Sequence, residues 1–453
     1  MKPSSGSWKG MRPFLLLWVG QLVSVVGSSL TRFALGVWVF QRTGSATLFG
    51  LILLAGVIPG FVLSPFSGAI VDRFDRRWVM VLSDTAAALT SLALAALLVT
   101  DRLEIWHIYL VVGLNSAAST FQRPAYTAAV TLLVPREQLA RAGGMAQMRG
   151  AAANVLAPLL AGFLVGSVGL GGVIVVDFAT FLFALVTLAM VRIPSPPKRE
   201  RKAGDPATFL HEATFGWKFI LGTPGLLGLA LYFAVVNVSM AGVNALLTPL
   251  VLSFTSAEAL GAVVSFGGIG ALLGSAAMSA WGGPRARMRG VVVSGIVLGV
   301  CITLAGVRPS ALLVSAALFG MFAAIPIGNA CDTAIWQSKV RPEVQGRVFA
   351  AEGMVSMATV PLTYLAAGPL ADAVFRPLLV PGGPLAGTLG PVLGVGPGRG
   401  LGLLLVLMGL LTTAAAVLLP LFPRVWNVER ELPDAHDDEP AAVPDAEAVP
   451  AAG

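Results

Sequence analysis

The chain alternates apolar stretches of membrane-spanning length with short loops, and its basic residues fall almost entirely into every second loop. About twenty apolar residues cross a bilayer as a helix, and loops that keep Lys and Arg are the cytoplasmic ones. Of the 30 Lys and Arg residues, the outer loops hold only Arg42, Arg102, Arg308, Arg376 and Arg399. We therefore predict an all-α membrane protein of twelve transmembrane helices with both termini in the cytoplasm. The predicted segments are 14–38, 46–70, 78–99, 105–132, 146–167, 172–192, 224–252, 258–282, 290–307, 309–336, 348–372 and 401–423.

The composition excludes several other classes of protein. Hydrophobic residues make up 56% of the chain and charged residues 12%, whereas about a quarter of a soluble globular domain is charged. The surplus of positive charge is explained by cytoplasmic loops that face anionic lipid headgroups, so no nucleic-acid partner is implied. The two cysteines lie within apolar segments and predict neither a disulfide framework nor a metal cluster. The first segment is too long for a signal peptide and is predicted to remain as a helix.

A charged loop divides the chain into two six-helix units. The predicted parts are an N-terminal bundle at 1–193, a cytoplasmic linker at 194–222, a C-terminal bundle at 223–425 and a disordered acidic tail at 426–453. Within the linker, residues 207–221 could lie as an amphipathic helix on the membrane surface or form a solvated connection. The two units share short matches in the same order, which favours duplicated, pseudo-symmetric bundles as in many secondary transporters. The matches are Ser45-Ala46 and Gly50 with Ser256-Ala257 and Gly261, and Pro158 to Gly162 with Tyr364 to Gly368.

The turn between the second and third segments carries the most specific motif, Gly68-Ala-Ile-Val-Asp72-Arg73-Phe-Asp75-Arg76-Arg77. This motif resembles the signature of the major facilitator superfamily, G-x-x-x-D-R-x-G-R-[RK], with Asp75 in place of the second glycine. The resemblance implies that Asp72 contacts the N-terminus of the eleventh helix and closes the cytoplasmic side, with Arg73, Arg76 and Arg77 in breakable ion pairs. Asp84, two turns into the third segment, is predicted to lie within reach of this cluster. The alternative is that the arginines only set the topology.

Further motifs are similar to the macrolide-efflux and siderophore-exporter branch of that superfamily. They are Phe121-Gln-Arg-Pro124-Ala125, Leu132 to Leu139, and Gln345-Gly346-Arg347. The segment-five sequence Ala157-Pro158-Leu-Leu-Ala161-Gly162 is similar to the antiporter motif G-P-x-x-G-G, with alanine at two of the glycine positions. A proline and small neighbours permit a kink and close helix approach, which the resemblance connects with closing the pathway against leak.

Ionisable groups inside a membrane are costly and are therefore functional candidates. Arg32 and Asp177 lie at matching depths, which predicts a buried pair with either a structural or a proton-carrying role. Asp332 and Glu352 lie near the inner ends of their segments, where they could pair with Lys339 or Arg347 or act as proton sites. The sequence does not single out one carboxylate as the proton carrier.

The resemblance assigns substrate contacts to segments one, four, seven and ten, each of which has a polar face. The alternative role for these side chains is hydrogen bonding between helices. The candidate substrate-lining residues are Gln21, Ser24, Asn115, Gln122, Asn237, Asn244, Asn329 and Trp336.

Together these features predict a monomeric major facilitator transporter of a bacterial-type plasma membrane. We expect it to export a hydrophobic drug-like or secondary-metabolite molecule by alternating access, with the proton gradient as energy source and neither cofactor nor metal. An importer or lipid facilitator of the same fold, with other or no ion coupling, is the alternative. A membrane-embedded enzyme is disfavoured because His107, His211 and His436 fall in separate loops and the tail, and the chain carries no Walker motif.

Overall fold

The computed structural model describes residues 11–135, 138–193, 215–341 and 344–432, without the side chains of residues 69, 72, 73 and 140. The described residues form an all-helical bundle of antiparallel rods, as predicted. The rods are α1 (Arg12–Thr43), α2 (Ala46–Arg73), α3 (Arg76–Val99), α4 (Ile105–Leu133), α5 (139–168), α6 (170–190), α7 (Pro224–Leu252), α8 (Ala257–Trp281), α9 (Arg287–Val307), α10 (Ala311–Lys339), α11 (Gln345–Leu378) and α12 (Arg399–Leu418).

The boundary between α5 and α6 is a kink at Gly169. Residues Leu139–Met190 form one helical run of 52 residues, which if straight would extend about 78 Å, far more than a bilayer is thick. Gly169 has φ 68° and ψ −175°, a conformation open to glycine because it has no Cβ. The chain therefore reverses there, between the two predicted segments.

Ten described helices are long and apolar enough to cross a membrane, one of them being the run that contains α5 and α6. The helix α4 is not among the ten, and its sequence carries Asn115, Ser119, Gln122 and Arg123. We call the end of the bundle with Arg12, Arg76 and Arg77 the inner end and the opposite end the outer end. That the inner end is cytoplasmic stays a prediction from the charge pattern.

Each half packs mainly on itself. In the N-terminal half α1 packs along α5 and α6, and in the C-terminal half α9 packs between α10 and α12. The two halves meet chiefly where α2 contacts α11 and where α5 contacts α8. These two interfaces position the site described below.

The ends of the C-terminal half are more ordered than the sequence predicts. Residues 215–222 of the linker are helical and Ile220 is fully buried, whereas 194–214 lie outside the described residues. The tail does not begin at 426, because Val428 is fully buried and the Lys339 ammonium donates hydrogen bonds to the carbonyls of Glu429 and Leu432 at 2.7 and 2.6 Å. Residues 433–453 lie outside the description.

Candidate functional site

The α5–α8 interface brings the outer parts of the two halves into backbone contact. A Cβ atom at Gly162 would lie 2.7 Å from the carbonyl oxygen of Ala257, and one at Gly261 would overlap the carbonyl oxygen of Pro158. Ala157 and Ala161 are buried beside this contact. The motif that resembles the antiporter sequence therefore lies where α5 and α8 approach most closely, as small residues permit in lipid.

The α2–α11 interface is the counterpart on the other side of the bundle. Gly368 lies against the backbone of Ala46 and Thr47, and Gly50 lies against the carbonyl oxygen of Tyr364. Above Gly368, the Asp372 carboxylate accepts hydrogen bonds from the first residues of α2. The outer ends of the two halves are thus joined at both interfaces.

The inner ends of the same helices are apart. A Cβ atom at Gly143, Gly144 or Gly150 of α5 would meet no atom within 4 Å, and the same holds for Gly346 and Gly353 of α11. The helices α5 and α11 therefore contact the opposite half near their outer ends and are open near their inner ends. This is the geometry of a conformation open to the inner side.

A cavity of about 390 Å³ lies in the C-terminal half between α7, α9, α10 and α11. Its lining is mostly apolar and includes Tyr232, Phe233 and the amide of Asn237. Among the described residues that line it, Asp332 and Glu352 are the charged side chains, and they are close enough to interact electrostatically. The described lining contains no basic residue that would neutralise these two carboxylates. The cavity therefore favours a proton or another cation.

Hydrogen bonds hold the two carboxylates of this cavity in place. Asp332 accepts one from the Trp336 indole at 3.0 Å, and Glu352 accepts one from the Ser356 hydroxyl at 2.7 Å. Lys339, one of the predicted partners, donates hydrogen bonds to carbonyls of the C-terminal segment. Both carboxylates are partly exposed to the cavity, which leaves them accessible to a proton or a solute.

A further carboxylate, Asp84, is buried in the N-terminal half. It accepts hydrogen bonds from the side-chain amides of Gln21 at 2.9 Å and Gln122 at 2.6 Å. Arg149 attracts it electrostatically and stacks over the Tyr126 ring at 4.3 Å. Among the described side chains, the donors reach Asp84 from α1 and α4, so Asp84 is part of a polar network inside the bundle.

Arg32 and Asp177, the predicted buried pair, attract each other electrostatically, although the hydrogen bond that Asp177 accepts comes from another residue. Asp177 is 2% exposed and accepts a hydrogen bond from Ser91 at 2.9 Å, whereas Arg32 is exposed. Gly27 and Thr31 form the face of α1 that lies against Asp177. Arg32, the next residue of α1, is close enough to attract this carboxylate electrostatically.

The α2–α3 turn is as short as the family motif requires although Asp75 replaces glycine. Asp75 has φ −65° and accepts a hydrogen bond from the backbone of Arg77 at 2.8 Å, so it caps α3. The Arg77 guanidinium donates to the carbonyl of Ala189 at 3.0 Å, and a Cβ atom at Gly68 would meet nothing within 4 Å. The side chains of Asp72 and Arg73 lie outside the description, so their predicted gating contacts stay predictions.

The predicted substrate-lining residues separate into three groups. Asn237 and Asn329 line the cavity, and Trp336 is buried against Asp332. Gln21, Ser24 and Gln122 are buried or partly buried, and both glutamines bind Asp84. Asn115 accepts a hydrogen bond from Thr90 at 3.3 Å, and Asn244 is exposed on α7 and hydrogen-bonded to Tyr364.

Two outer-end residues, Asp372 and Arg376, carry contacts that the sequence pattern does not predict. Asp372 is the last residue of a predicted segment, and Arg376 was assigned only to an outer loop. In the structure α11 continues to Leu378, and the two side chains form an ion pair of 3.1 Å at i, i+4 spacing. That spacing is a signal the sequence does contain. In the described part of the chain, no three His, Cys, Asp or Glu side chains lie close enough together to hold a metal ion.

Comparison with known proteins agrees with this arrangement. Residues 17–361 match the family model described as Major Facilitator Superfamily. The chain is 28% identical to macrolide efflux protein A of Streptococcus pyogenes, covering 81% of this chain and 91% of that protein. It is also 28% identical to the multidrug efflux pump Tap of Mycolicibacterium fortuitum, covering 80% and 90%.

Among solved structures, the fold is similar to a bacterial homolog of the human lysosomal transporter Spinster in an inward-facing, unoccupied conformation. The TM-score is 0.67 at 15% identity, and the match covers 94% of this chain and 98% of that one. At this identity the likeness concerns the fold alone.

Proposed function

Because the chain belongs to the Major Facilitator Superfamily, we propose that it is a proton-coupled exporter of hydrophobic, drug-like or secondary-metabolite molecules. The observation that carries this proposal is an inner-facing opening between two halves, with a mostly apolar cavity that contains two carboxylates. The efflux function in the names of relatives that align over most of their length supports the outward direction.

The cavity suits both parts of an exchange. Its tyrosine, phenylalanine and apolar side chains match an amphipathic solute, and its amides supply orienting hydrogen bonds. Asp332 and Glu352 supply negative charge that a proton can neutralise when the halves rock and the surroundings of the carboxylates change. Asp84 and Asp177, buried in the N-terminal half, are further groups that can exchange a proton during this motion.

The test uses inside-out vesicles with an imposed pH gradient and two probes, a radiolabelled macrolide and an amphipathic fluorescent dye. We expect both to accumulate when the gradient is present and to leak out when it is collapsed. Accumulation that is indifferent to the gradient would contradict proton coupling. Accumulation in right-side-out vesicles instead would favour an importer.

Two variants test whether the carboxylates of the cavity take part in proton exchange. Asp332→Asn and Glu352→Gln should each reduce gradient-driven accumulation about tenfold or more if the carboxylate takes part in proton exchange. Both should retain exchange of labelled for unlabelled solute, which needs no net proton movement. The matched control is Asp101→Asn, an exposed residue at φ 55° that asparagine tolerates.

A further inference from the structure

The outer end of α11 carries a carboxylate that bonds across to the N-terminal half. Asp372 Oδ2 accepts hydrogen bonds from the Ser45 hydroxyl at 2.8 Å, the Thr47 backbone amide at 2.9 Å and the Thr47 hydroxyl at 2.8 Å. Its Oδ1 accepts one from the backbone amide of Ala46 at 3.2 Å. We propose that Asp372 with Ser45, Ala46 and Thr47 is the outer lock of the transport cycle, which holds the extracellular side closed while the inner side is open.

The lock uses donors that α2 cannot satisfy within itself. The first amides of a helix have no partner in the helix, and the aligned peptide dipoles make this end positive. Ser45 caps the amide of Leu48 at 3.2 Å, which leaves the amides of Ala46 and Thr47 for an outside acceptor. A carboxylate there makes charge-assisted hydrogen bonds, which are stronger than neutral ones. Here the acceptor comes from the opposite half of the protein.

Arg376 extends the lock to a second element. Its guanidinium forms an ion pair with Asp372 at 3.1 Å and donates a hydrogen bond to the carbonyl of Gly44 at 2.8 Å. Gly44 ends α1 in the left-handed conformation. One turn of α11 therefore binds both the end of α1 and the start of α2.

The local helix geometry at Asp372 is unusual. Residues Leu370–Phe375 form a π-helical turn immediately after Pro369. Such wider turns are rare and often occur at functional sites, because they displace side chains from their α-helical positions. In this protein the turn carries the carboxylate that reaches α2.

The lock must break in every cycle, because alternating access separates the outer ends of the two halves. When they separate, the α2 amides and the Asp372 carboxylate both become hydrated, so the bonds can be exchanged for water at a modest net cost. The inference rests on the proposed alternating access, but its test needs no transported solute. Failure of the lock and failure of the proposed export are therefore distinguishable.

The test measures distances at both ends of the bundle by double electron–electron resonance. Outer labels are placed at Arg102→Cys and Arg308→Cys, which are exposed and belong to opposite halves. Inner labels are placed at Gly143→Cys and Gly346→Cys, where a side chain meets no neighbouring atom. Cys301 and Cys331 are replaced by alanine.

We expect Asp372→Asn to raise the population with a long outer distance and a short inner distance by roughly five- to tenfold, as loss of a charged helix cap predicts. The matched control is Glu258→Gln, which removes a carboxylate from the first turn of α8 at the other interface. Glu258→Gln should leave both distance distributions unchanged. Equal distributions for the two variants would overturn the proposal.

A second variant keeps the proposal testable if Asp372→Asn fails to fold. Thr47→Val removes one donor to Asp372 but keeps the backbone amide, so it should shift the same distances in the same direction by about twofold. Distributions identical to the parent protein in Thr47→Val would also contradict the lock.

Discussion

The α2–α11 and α5–α8 interfaces both join the two halves and are formed by equivalent helices of the duplicated units. They are nevertheless held together by different interactions. Ser45 and Ser256 cap α2 and α8 at a sequence offset of 211, and Gly368 and Gly162 meet the first turns of these helices at an offset of 206. Even individual contacts correspond, since Gly50 faces the carbonyl of Tyr364 as Gly261 faces that of Pro158. The duplicated scaffold thus produces the same close backbone approach twice.

The difference lies in where the carboxylate is placed. At the α2–α11 interface Asp372 belongs to one half and its donors to the other. The position equivalent to Asp372 is Gly166, and the position equivalent to Thr47 is Glu258, whose carboxylate lies against Gly166. In the described residues Glu258 makes no hydrogen bond to the N-terminal half. One interface therefore depends on close packing, and the other adds a bond between charges and dipoles that can break.

The largest effect is expected from Gly261→Val at the packed interface. A side chain here would overlap the backbone carbonyl of Pro158, which has little room to move. Overpacking costs about 1–3 kcal/mol, so the outer-closed conformation should lose population by about tenfold or more, and transport should fall with it. The outer and inner label distances measure this shift.

The control for Gly261→Val is Gly143→Val at the open inner end of α5, where the added side chain meets no neighbouring atom. It should leave the outer distance unchanged. If Gly143→Val had the same effect as Gly261→Val, close packing at the outer end would not be what holds this interface.

The sequence predicted the scaffold well because hydrophobicity and charge placement are local properties. The twelve segments agree with the observed rods to within a few residues at most ends, and the matched Ser and Gly positions are indeed equivalent contacts. The interface chemistry was not predictable in this way. Asp372 contacts residues more than 300 positions away, and no periodicity reports such a pairing.

Side-chain direction is a second property that the sequence pattern does not specify. Matching depth predicts that Arg32 and Asp177 interact, and the two do attract each other electrostatically. Depth does not specify, however, that Gly27 and Thr31 are the residues of α1 that lie against Asp177. The cavity is lined by Asn237 and Asn329, which the polar pattern proposed for substrate contact, and by Asp332 and Glu352, which were predicted only as intramembrane charges. The polar pattern could not separate the two asparagines from Gln21 and Gln122, which are equally polar but bind Asp84.

A smaller effect is expected when one methyl group is added at each interface, which allows the two interfaces to be compared directly. Gly368→Ala places a Cβ against the backbone of Thr47, whereas Gly166→Ala places it against the carboxylate end of Glu258. A flexible side chain can rotate away, but backbone cannot. Gly368→Ala should therefore shift the outer distance by several-fold in population, and Gly166→Ala by much less. Equal shifts would show that the Glu258 carboxylate is fixed as firmly as the α2 backbone.

The smallest effect is expected at the inner end, where the residue changed is a helix cap. Asp75 caps α3, so Asp75→Ala should lower thermal stability by about 1 kcal/mol, and Asp75→Gly by only a few tenths. Glycine is the residue of the family motif at this position, and its small cost explains how either residue can serve the turn. Thermal unfolding in detergent measures the stability, and the outer label distance should not change. A long outer distance in Asp75→Ala would mean that the α2–α3 turn already acts on the outer lock in this conformation, and that the two ends are coupled more tightly than their separate contacts indicate.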